Sequence, residues 1–253
     1  MEPNPQLIIY QQITGARLDN TVWFRTICKQ NGLEVGDDQL TTMQNFAGQL
    51  LEWNKRINLI SRKDEENIWT SHILHSATIL FKLRIPPGAV VLDLGTGGGL
   101  PGIPLKILLP TISITLLDST QKKINVVNDL ISSLHLKGVT AVWGRAENLG
   151  GKKEFFEKFD LVVVRAVASL KDLVTWSYPF LKKKHDPKSI NENPSLPKAS
   201  PPSLIALKGG DLQVELEEIE KDQRIRSVKV LDLTLKGSDQ LDSNDKKIVL
   251  IGF

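Results

Sequence analysis

The sequence predicts a doubly wound α/β fold with a mostly parallel sheet, preceded by an N-terminal helical extension. Residues up to about 85 carry apolar side chains at the three- and four-residue spacing of amphipathic helices. From residue 86 onward, short aliphatic runs alternate with helical patterns, which is typical of βαβ units. The length of 253 residues suits one such core with an added segment.

The predicted extension spans residues 1–85. Apolar residues recur from Asp38 to Leu51 and indicate a helix that Asp37 and Asp38 can cap. A second helical pattern follows Asp64, and the sequence Pro86-Pro87-Gly88 stops it.

The second predicted domain covers residues 86–253. Its candidate strands read AVVLDLG, SITLLDS, VTAVWG, FDLVVVRAV and LIALKGG, with helical patterns between them. The last two candidates, SVKVLDLTL and KKIVLIGF, are expected to form an antiparallel hairpin. Residues 182–203 contain five prolines and few aliphatic side chains, so we expect a flexible insertion there.

The composition indicates the expected cellular compartment but does not identify the function. The formal charge of +3 is compatible with a polyanionic partner but does not require one. The single cysteine, Cys28, excludes an internal disulfide and suits a reducing compartment. Because the sequence shows neither a targeting leader nor a membrane-spanning run, we expect a cytoplasmic protein without membrane contact.

The strongest functional signal follows the first strand of the second domain. A glycine loop runs from Gly95 to Gly102, and its Gly97, Gly99 and Gly102 have the GxGxxG spacing that dinucleotide-binding proteins also show. Asp93 precedes this loop, and a carboxylate there favours a ligand's ammonium group but repels a pyrophosphate. The pattern therefore favours S-adenosylmethionine over NAD.

The next strand ends support the same cofactor. Asp118 ends the second strand at the separation where an acidic residue typically holds ribose hydroxyls. Ser119 and Thr120 can add hydroxyl contacts, or they can simply start the following helix. The end of the third strand, residues 145–148 (Arg-Ala-Glu-Asn), is expected to border the adenine.

Two basic residues at strand ends have competing interpretations. Arg165, after the fourth strand, can border the cofactor or pair with an RNA phosphate, or it can form an ion pair with an acid such as Glu147. Lys208, in the fifth strand, has the same alternatives. We assign no catalytic residue with certainty, and Arg165 is a candidate for a positioning role.

The segments NLIS (58–61), LDLGTGGGLPGIPL, LLDS, GRAEN, FDLVVVRAVASL and IALKGG, in this order, resemble the RsmG (GidB) family of small-subunit ribosomal RNA methyltransferases. The resemblance implies a class I Rossmann-like fold and methylation of N7 of one guanine, guanine 527, in the decoding-centre loop of 16S ribosomal RNA. The cofactor residues that the resemblance implies are Gly95, Leu100, Asp118 to Thr120, Ala146, Glu147 and Arg165. The sequence pattern adds Asp93, which precedes the glycine loop, and Gly97 within it. Two features depart from relatives: His75 replaces a common acidic residue, and the insertion is longer.

Guanine N7 has an in-plane lone pair and no proton, so its methylation needs neither a general base nor a covalent nucleophile. The sequence agrees, because it lacks the Asn/Asp-Pro-Pro-aromatic motif of amino-group methylation, and Cys28 lies far from the strand ends. RNA contact is expected from basic residues that flank two tryptophans, although a solvated basic face with core tryptophans is the alternative. These residues are Lys55, Arg56, Arg62 and Lys63, with Trp53 and Trp69.

Other assignments remain open at this stage. His72 and His75 lie three residues apart, but no third ligand is evident, so we expect no metal. The alternatives to a 16S ribosomal RNA methyltransferase are a methyltransferase of another RNA or small molecule, an NAD-linked oxidoreductase, and an RNA-binding scaffold. The partner is expected to be the small ribosomal subunit or its RNA, and the protein is expected to be a monomer.

Overall fold

The computed structural model describes residues 19–183, 196–238 and 246–253. Seven strands form one sheet: β1 (Val90–Leu94), β2 (Ser113–Asp118), β3 (Val139–Trp143), β4 (Leu161–Arg165), β5 (Ser203–Gly209), β6 (Ser227–Asp232) and β7 (Lys246–Gly252). Their order is β3-β2-β1-β4-β5-β7-β6. The first five strands are parallel, and β7 lies antiparallel between β5 and β6. The predicted mostly parallel sheet and the terminal antiparallel pair are both confirmed.

Eight α-helices accompany the sheet within the described ranges: α1 (Asn20–Gln30), α2 (Asp37–Asn54), α3 (His75–Lys82), α4 (Gly102–Leu108), α5 (Gln121–Ser133), α6 (Ala146–Leu149), α7 (Leu170–Ser177) and α8 (Gln213–Ile219). The pattern after Asp64 predicted one helix. The structure has this helix as one continuous run, which begins with a π-helical turn at Trp69–Leu74 and leads into α3. A 3₁₀ turn at Arg62–Asp64 precedes it.

The sheet is buried on both faces, because side chains of alternating strand residues enter two different cores. Val91 and Val163 pack with the N-terminal helices, α4 and α5, whereas Leu92 and Val162 pack with α7 and α8. The N-terminal helices therefore share a face with α4, the helix that follows the glycine loop. This arrangement brings the N-terminal segment close to the glycine loop.

Part of the predicted extension and insertion lies outside the described residues, namely 1–18 and 184–195. The described end of the insertion contacts Arg84, which lies between α3 and β1. The amide of Arg84 donates to Pro197 O at 3.1 Å, and the amide of Ala199 donates to Arg84 O at 3.1 Å. Ala199 is completely buried. None of the helices in the described ranges has the length and apolar character needed to cross a membrane.

Candidate functional site

The glycine loop follows β1 at the carboxyl edge of the sheet and needs its glycines for two reasons. Gly95, Gly97 and Gly99 have φ values of +77°, +58° and +91°, a region that side chains disfavour. A Cβ on Gly95 would also lie 2.5 Å from a methyl of Val167. The amides of Gly95 and Thr96 both donate to Leu117 O, at 2.8 and 2.9 Å, which ties the loop to the end of β2.

Asp93 lies beneath this loop and is completely buried. Its Oδ2 accepts hydrogen bonds from Thr96 Oγ1 at 2.6 Å and from the Gly102 amide at 2.8 Å. Burial is the main cause that raises the pKa of Asp93 to about 7. Its other oxygen, Oδ1, has no hydrogen-bond partner among the described residues. Asp93 thus joins the two ends of the glycine loop from below.

Asp118 ends β2, as predicted, and its carboxylate is fixed by two backbone amides. Oδ2 accepts from the Gly97 amide at 2.9 Å, and Oδ1 accepts from the Thr120 amide at 2.8 Å. A carboxylate has about four acceptor positions, so each oxygen retains one. Thr120 precedes α5, but its side chain makes no capping hydrogen bond.

A cavity of about 150 Å³ opens beside Asp118. It brings together five of the predicted cofactor residues, namely Gly95, Asp118, Ser119, Ala146 and Glu147. It also contains Val167 and Trp176, which the sequence did not single out. The cavity combines carboxylates that can accept from ribose hydroxyls with apolar side chains that can border an adenine, so the residues present fit S-adenosylmethionine.

Other predicted cofactor residues do not line this cavity. Gly97 and Thr120 reach it only through their hydrogen bonds to Asp118. Leu100 is buried in the core behind the loop. Asp93 is also behind the loop, and Arg165 faces the N-terminal segment instead.

Arg165 ends β4 and joins the sheet to the π-helical turn. Its Nη1 lies 3.3 Å from Ser71 O and 2.8 Å from His72 Nδ1, so the predicted alternative of a pair with Glu147 is not what the structure shows. Burial lowers the pKa of Arg165 to about 10, and the charges of Asp93 and Asp64 oppose that shift. The guanidinium nevertheless stays protonated at neutral pH.

The contact with Arg165 also defines the state of His72. A guanidinium only donates, so Nδ1 of His72 accepts and its proton resides on Nε2, 3.4 Å from Asp64 Oδ2. Burial and the charge of Arg165 lower the pKa of His72 to about 4. Burial, with Lys246 and Arg165 nearby, also puts the pKa of His75 well below its usual value. Across residues 19–183, 196–238 and 246–253, no group of three or more potential metal ligands occurs.

Lys208 forms an ion pair, which is one of the two roles that the sequence allowed for it. Its Nζ lies 2.8 Å from Glu215 Oε2 and donates to Ala168 O at 3.0 Å. Glu215 also accepts from the Leu170 amide at 2.6 Å. Lys208 therefore holds the segment after β4, which includes the cavity residue Val167.

The expected RNA-facing aromatic pair is only partly accessible. The expectation for Trp69 is wrong, because this side chain is 8% exposed and packs against Phe24 with ring centroids 5.6 Å apart. Trp53 is half-buried, and the guanidinium of Arg56 lies 5.7 Å from its ring centroid. The four predicted basic residues, Lys55, Arg56, Arg62 and Lys63, are exposed.

Asn54, which the sequence analysis did not single out, organises the chain after α2. Its Oδ1 accepts from the amides of Leu59 at 2.8 Å and Ile60 at 3.0 Å, while Nδ2 donates to Glu65 Oε1 at 2.7 Å. Leu59 in turn packs on the glycine loop, since a Cβ on Gly98 would lie 3.2 Å from the Cβ of Leu59. The signal for Asn54 was its place at helical spacing after the buried residues Met43, Ala47 and Leu50.

The strand order with an antiparallel β7, the glycine loop after β1 and the carboxylate that ends β2 define a Rossmann-like S-adenosylmethionine-dependent methyltransferase. The family model described as rRNA small subunit methyltransferase G (GidB) matches residues 39–187. The chain belongs to this family.

Several relatives carry the name ribosomal RNA small subunit methyltransferase G. The protein from Flavobacterium johnsoniae is 39% identical over 211 residues, which cover 79% of this chain and 93% of the relative. The protein from Chlorobaculum tepidum is 41% identical over 192 residues, or 76% of this chain and 78% of the relative. The match to the Moorella thermoacetica protein is 38% identical over 154 residues and covers 61% of this chain and 64% of that relative.

Proposed function

We propose that the protein transfers the methyl group of S-adenosylmethionine to N7 of a guanine in 16S ribosomal RNA of the small ribosomal subunit. The observation that supports cofactor binding is the cavity at the strand ends, where the carboxylate of Asp118 faces apolar walls. The family supports small-subunit ribosomal RNA as the substrate, because the relatives named above are small-subunit ribosomal RNA methyltransferases. Guanine N7 is our proposal for the acceptor atom, since transfer to it needs no general base.

Each cofactor residue has a defined task in this proposal. Asp118 accepts hydrogen bonds from the ribose hydroxyls with its remaining lone pairs, and Ser119 lies beside it. Ala146 and Glu147 border the adenine. Gly95 and Gly97 allow close approach to the main chain, whereas Asp93 and Leu100 act from behind the loop by fixing its shape.

The bound cofactor supplies an electrophilic methyl group on a sulfonium. Guanine N7 would accept this methyl group through its in-plane lone pair. Because N7 carries no proton, no side chain has to accept one, and the protein contributes by positioning. Arg165, fixed by Ser71 O and His72 Nδ1, is the proposed positioning residue at the end of β4.

The decisive experiment uses small ribosomal subunits and deproteinised 16S RNA that lack the modification. We expect transfer of label from methyl-labelled S-adenosylmethionine into RNA, with N7-methylguanosine as the product after nuclease digestion and mass spectrometry. Label in another nucleoside would contradict the N7 assignment. Absence of label in both RNA substrates would contradict the proposed function as a whole.

A further inference from the structure

A second, larger cleft lies on the other side of the glycine loop, with a volume of about 760 Å³. It is lined by Asn54, Lys55, Arg56, Asn58, Leu59, Ile60, Ser61, Arg62 and Lys123. Four of these nine residues are basic, and none of the described residues that line it is acidic. The cavity beside Asp118 differs in charge, because two carboxylates and only one cation, Arg145, line it. We call this second feature the basic cleft.

The walls of the basic cleft come from two distant parts of the chain. One wall is the loop after α2, whose amides at Leu59 and Ile60 are held by the buried side chain of Asn54. The other is the first turn of α5, which supplies Lys123 directly after the segment that contains Asp118. Leu59 lies against Gly98 of the glycine loop, and Gly95 of the same loop lines the cofactor cavity, so both features adjoin that loop.

The cations of the cleft are available to a ligand. Arg62 and Lys123 form no ion pair or side-chain hydrogen bond with a described residue. Arg56 lies over the ring of Trp53, which orients its guanidinium without neutralising it. Lys55 pairs only with Glu52 on the exposed surface. By contrast, Lys182, Lys208 and Arg224 elsewhere on the protein are each paired with a carboxylate.

We propose that the basic cleft binds successive phosphates of the substrate RNA beside the nucleotide presented to the cofactor. This inference rests on the proposed function, because it assigns the substrate strand to a surface of the same site. Guanidinium and ammonium groups suit phosphate oxygens, and the side chains of Asn58 and Ser61 add uncharged donors. An unpaired strand is expected here, because guanine N7 faces the major groove, which is too deep and narrow in an RNA duplex for side chains to reach.

The test removes one cation at a time, with Arg56→Ala, Arg62→Ala and Lys123→Ala. Lys229→Ala is the matched control, because Lys229 is exposed on β6, the strand at the far edge of the sheet. Affinity for a fluorescent single-stranded RNA oligonucleotide is measured by anisotropy over a range of salt concentrations. Affinity for S-adenosylmethionine is measured by calorimetry on the same preparations.

We expect each cleft variant to weaken RNA binding roughly fivefold and to lower the salt slope by about 0.7 per lost phosphate contact. The affinity for S-adenosylmethionine should not change. In methyl transfer, KM for RNA should rise while kcat stays close to that of the unaltered protein, because these contacts are made before and during transfer alike. Lys229→Ala should match the unaltered protein in every measurement.

Two results would overturn the proposal. One is unchanged RNA affinity and salt slope in all three cleft variants. The other is weaker S-adenosylmethionine binding with unchanged RNA binding, which would assign the cleft to the cofactor's carboxylate. The RNA-binding measurement does not depend on turnover. If the protein transfers no methyl group but the cleft variants still weaken RNA binding, the proposed reaction fails and the cleft assignment stands.

Discussion

The cofactor cavity and the basic cleft lie on two sides of one glycine loop and differ in charge and size. The cavity of about 150 Å³ presents Asp118 and Glu147 between apolar walls. The cleft of about 760 Å³ presents four cations. A hydroxyl-bearing nucleoside is matched to the first and a polyanionic chain to the second. Under the two proposals, ligands of opposite charge would bind at features that both adjoin this loop.

The two regions also differ in how the chain builds them. The cavity forms where the neighbouring parallel strands β1, β2 and β3 end, so residues at the carboxyl edge of the sheet meet there. In the cleft, the side chain of Asn54 fixes the loop after α2 through hydrogen bonds from the Leu59 and Ile60 amides, and Leu59 packs against Gly98 of the glycine loop. In our proposal, the sheet therefore provides the cofactor contacts and the N-terminal segment provides the RNA contacts.

Asp118→Ala is expected to have the largest effect, because it removes the carboxylate of the cavity together with its hydrogen bonds to the Gly97 and Thr120 amides. Loss of two charge-assisted hydrogen bonds to the ribose should reduce S-adenosylmethionine affinity about 100-fold by calorimetry. RNA affinity should change little, because Asp118 does not line the basic cleft. Asp129→Ala, which removes an exposed carboxylate of α5, is the control. A comparable loss in both variants would contradict the assignment of Asp118.

Much of the cavity could be predicted from the sequence for a physical reason. Parallel strands are short aliphatic runs, and their ends meet at one edge of the sheet. Asp118 and Gly95 follow such runs directly, so their positions follow from the strand pattern. Val167 and Trp176 could not be predicted as cavity residues. They enter the cavity from the segment after β4 and from α7, whose orientation depends on Lys208 and Glu215.

The N-terminal segment could not be predicted to the same depth. Its helical character was clear from periodicity, but periodicity does not say which aromatic side chain is buried, and Trp69 packs against Phe24 in α1. The partners of Arg165 were also missed. They are Ser71 and His72, more than 90 residues earlier in the chain, and only the packing of the π-helical turn on the sheet brings them together.

Gly98→Ala tests whether the basic cleft depends on the contact between the glycine loop and the loop after α2. A Cβ at this position would lie 2.7 Å from Leu50 Cδ1 and 3.2 Å from the Cβ of Leu59, so the loop after α2 must shift. We expect a loss of about 2 kcal/mol in the free energy of unfolding and weaker RNA binding. Gly48→Ala is the control, because its Cβ meets no atom within 4 Å and it lies inside α2.

The two glycine variants should change stability in opposite directions. Replacing Gly48 in a helix interior should raise the free energy of unfolding by roughly 0.5 to 1 kcal/mol. Both values are obtained from urea unfolding followed by circular dichroism. If Gly98→Ala is as stable as Gly48→Ala and binds RNA normally, the loop after α2 does not depend on its contact with the glycine loop.

Asp93→Asn has the smallest expected effect and asks whether Asp93 acts as a charge or as a hydrogen-bond acceptor for the loop. Asparagine keeps an acceptor for Thr96 Oγ1 and the Gly102 amide but cannot ionise. Burial raises the pKa of Asp93 to about 7 in the folded protein, above its unfolded value, so its protonated form stabilises the fold at lower pH. That contribution is lost as pH rises through about 7.

The unaltered protein should therefore lose about 1 kcal/mol relative to Asp93→Asn between pH 6 and pH 8. Titration of His72 and the other groups is common to both proteins and cancels in the difference. The measurement is urea unfolding of both proteins at several pH values in this range. A difference that does not vary with pH would mean that Asp93 is ionised throughout, and its free oxygen would then be a charge available to the cofactor's ammonium group, as the sequence first suggested.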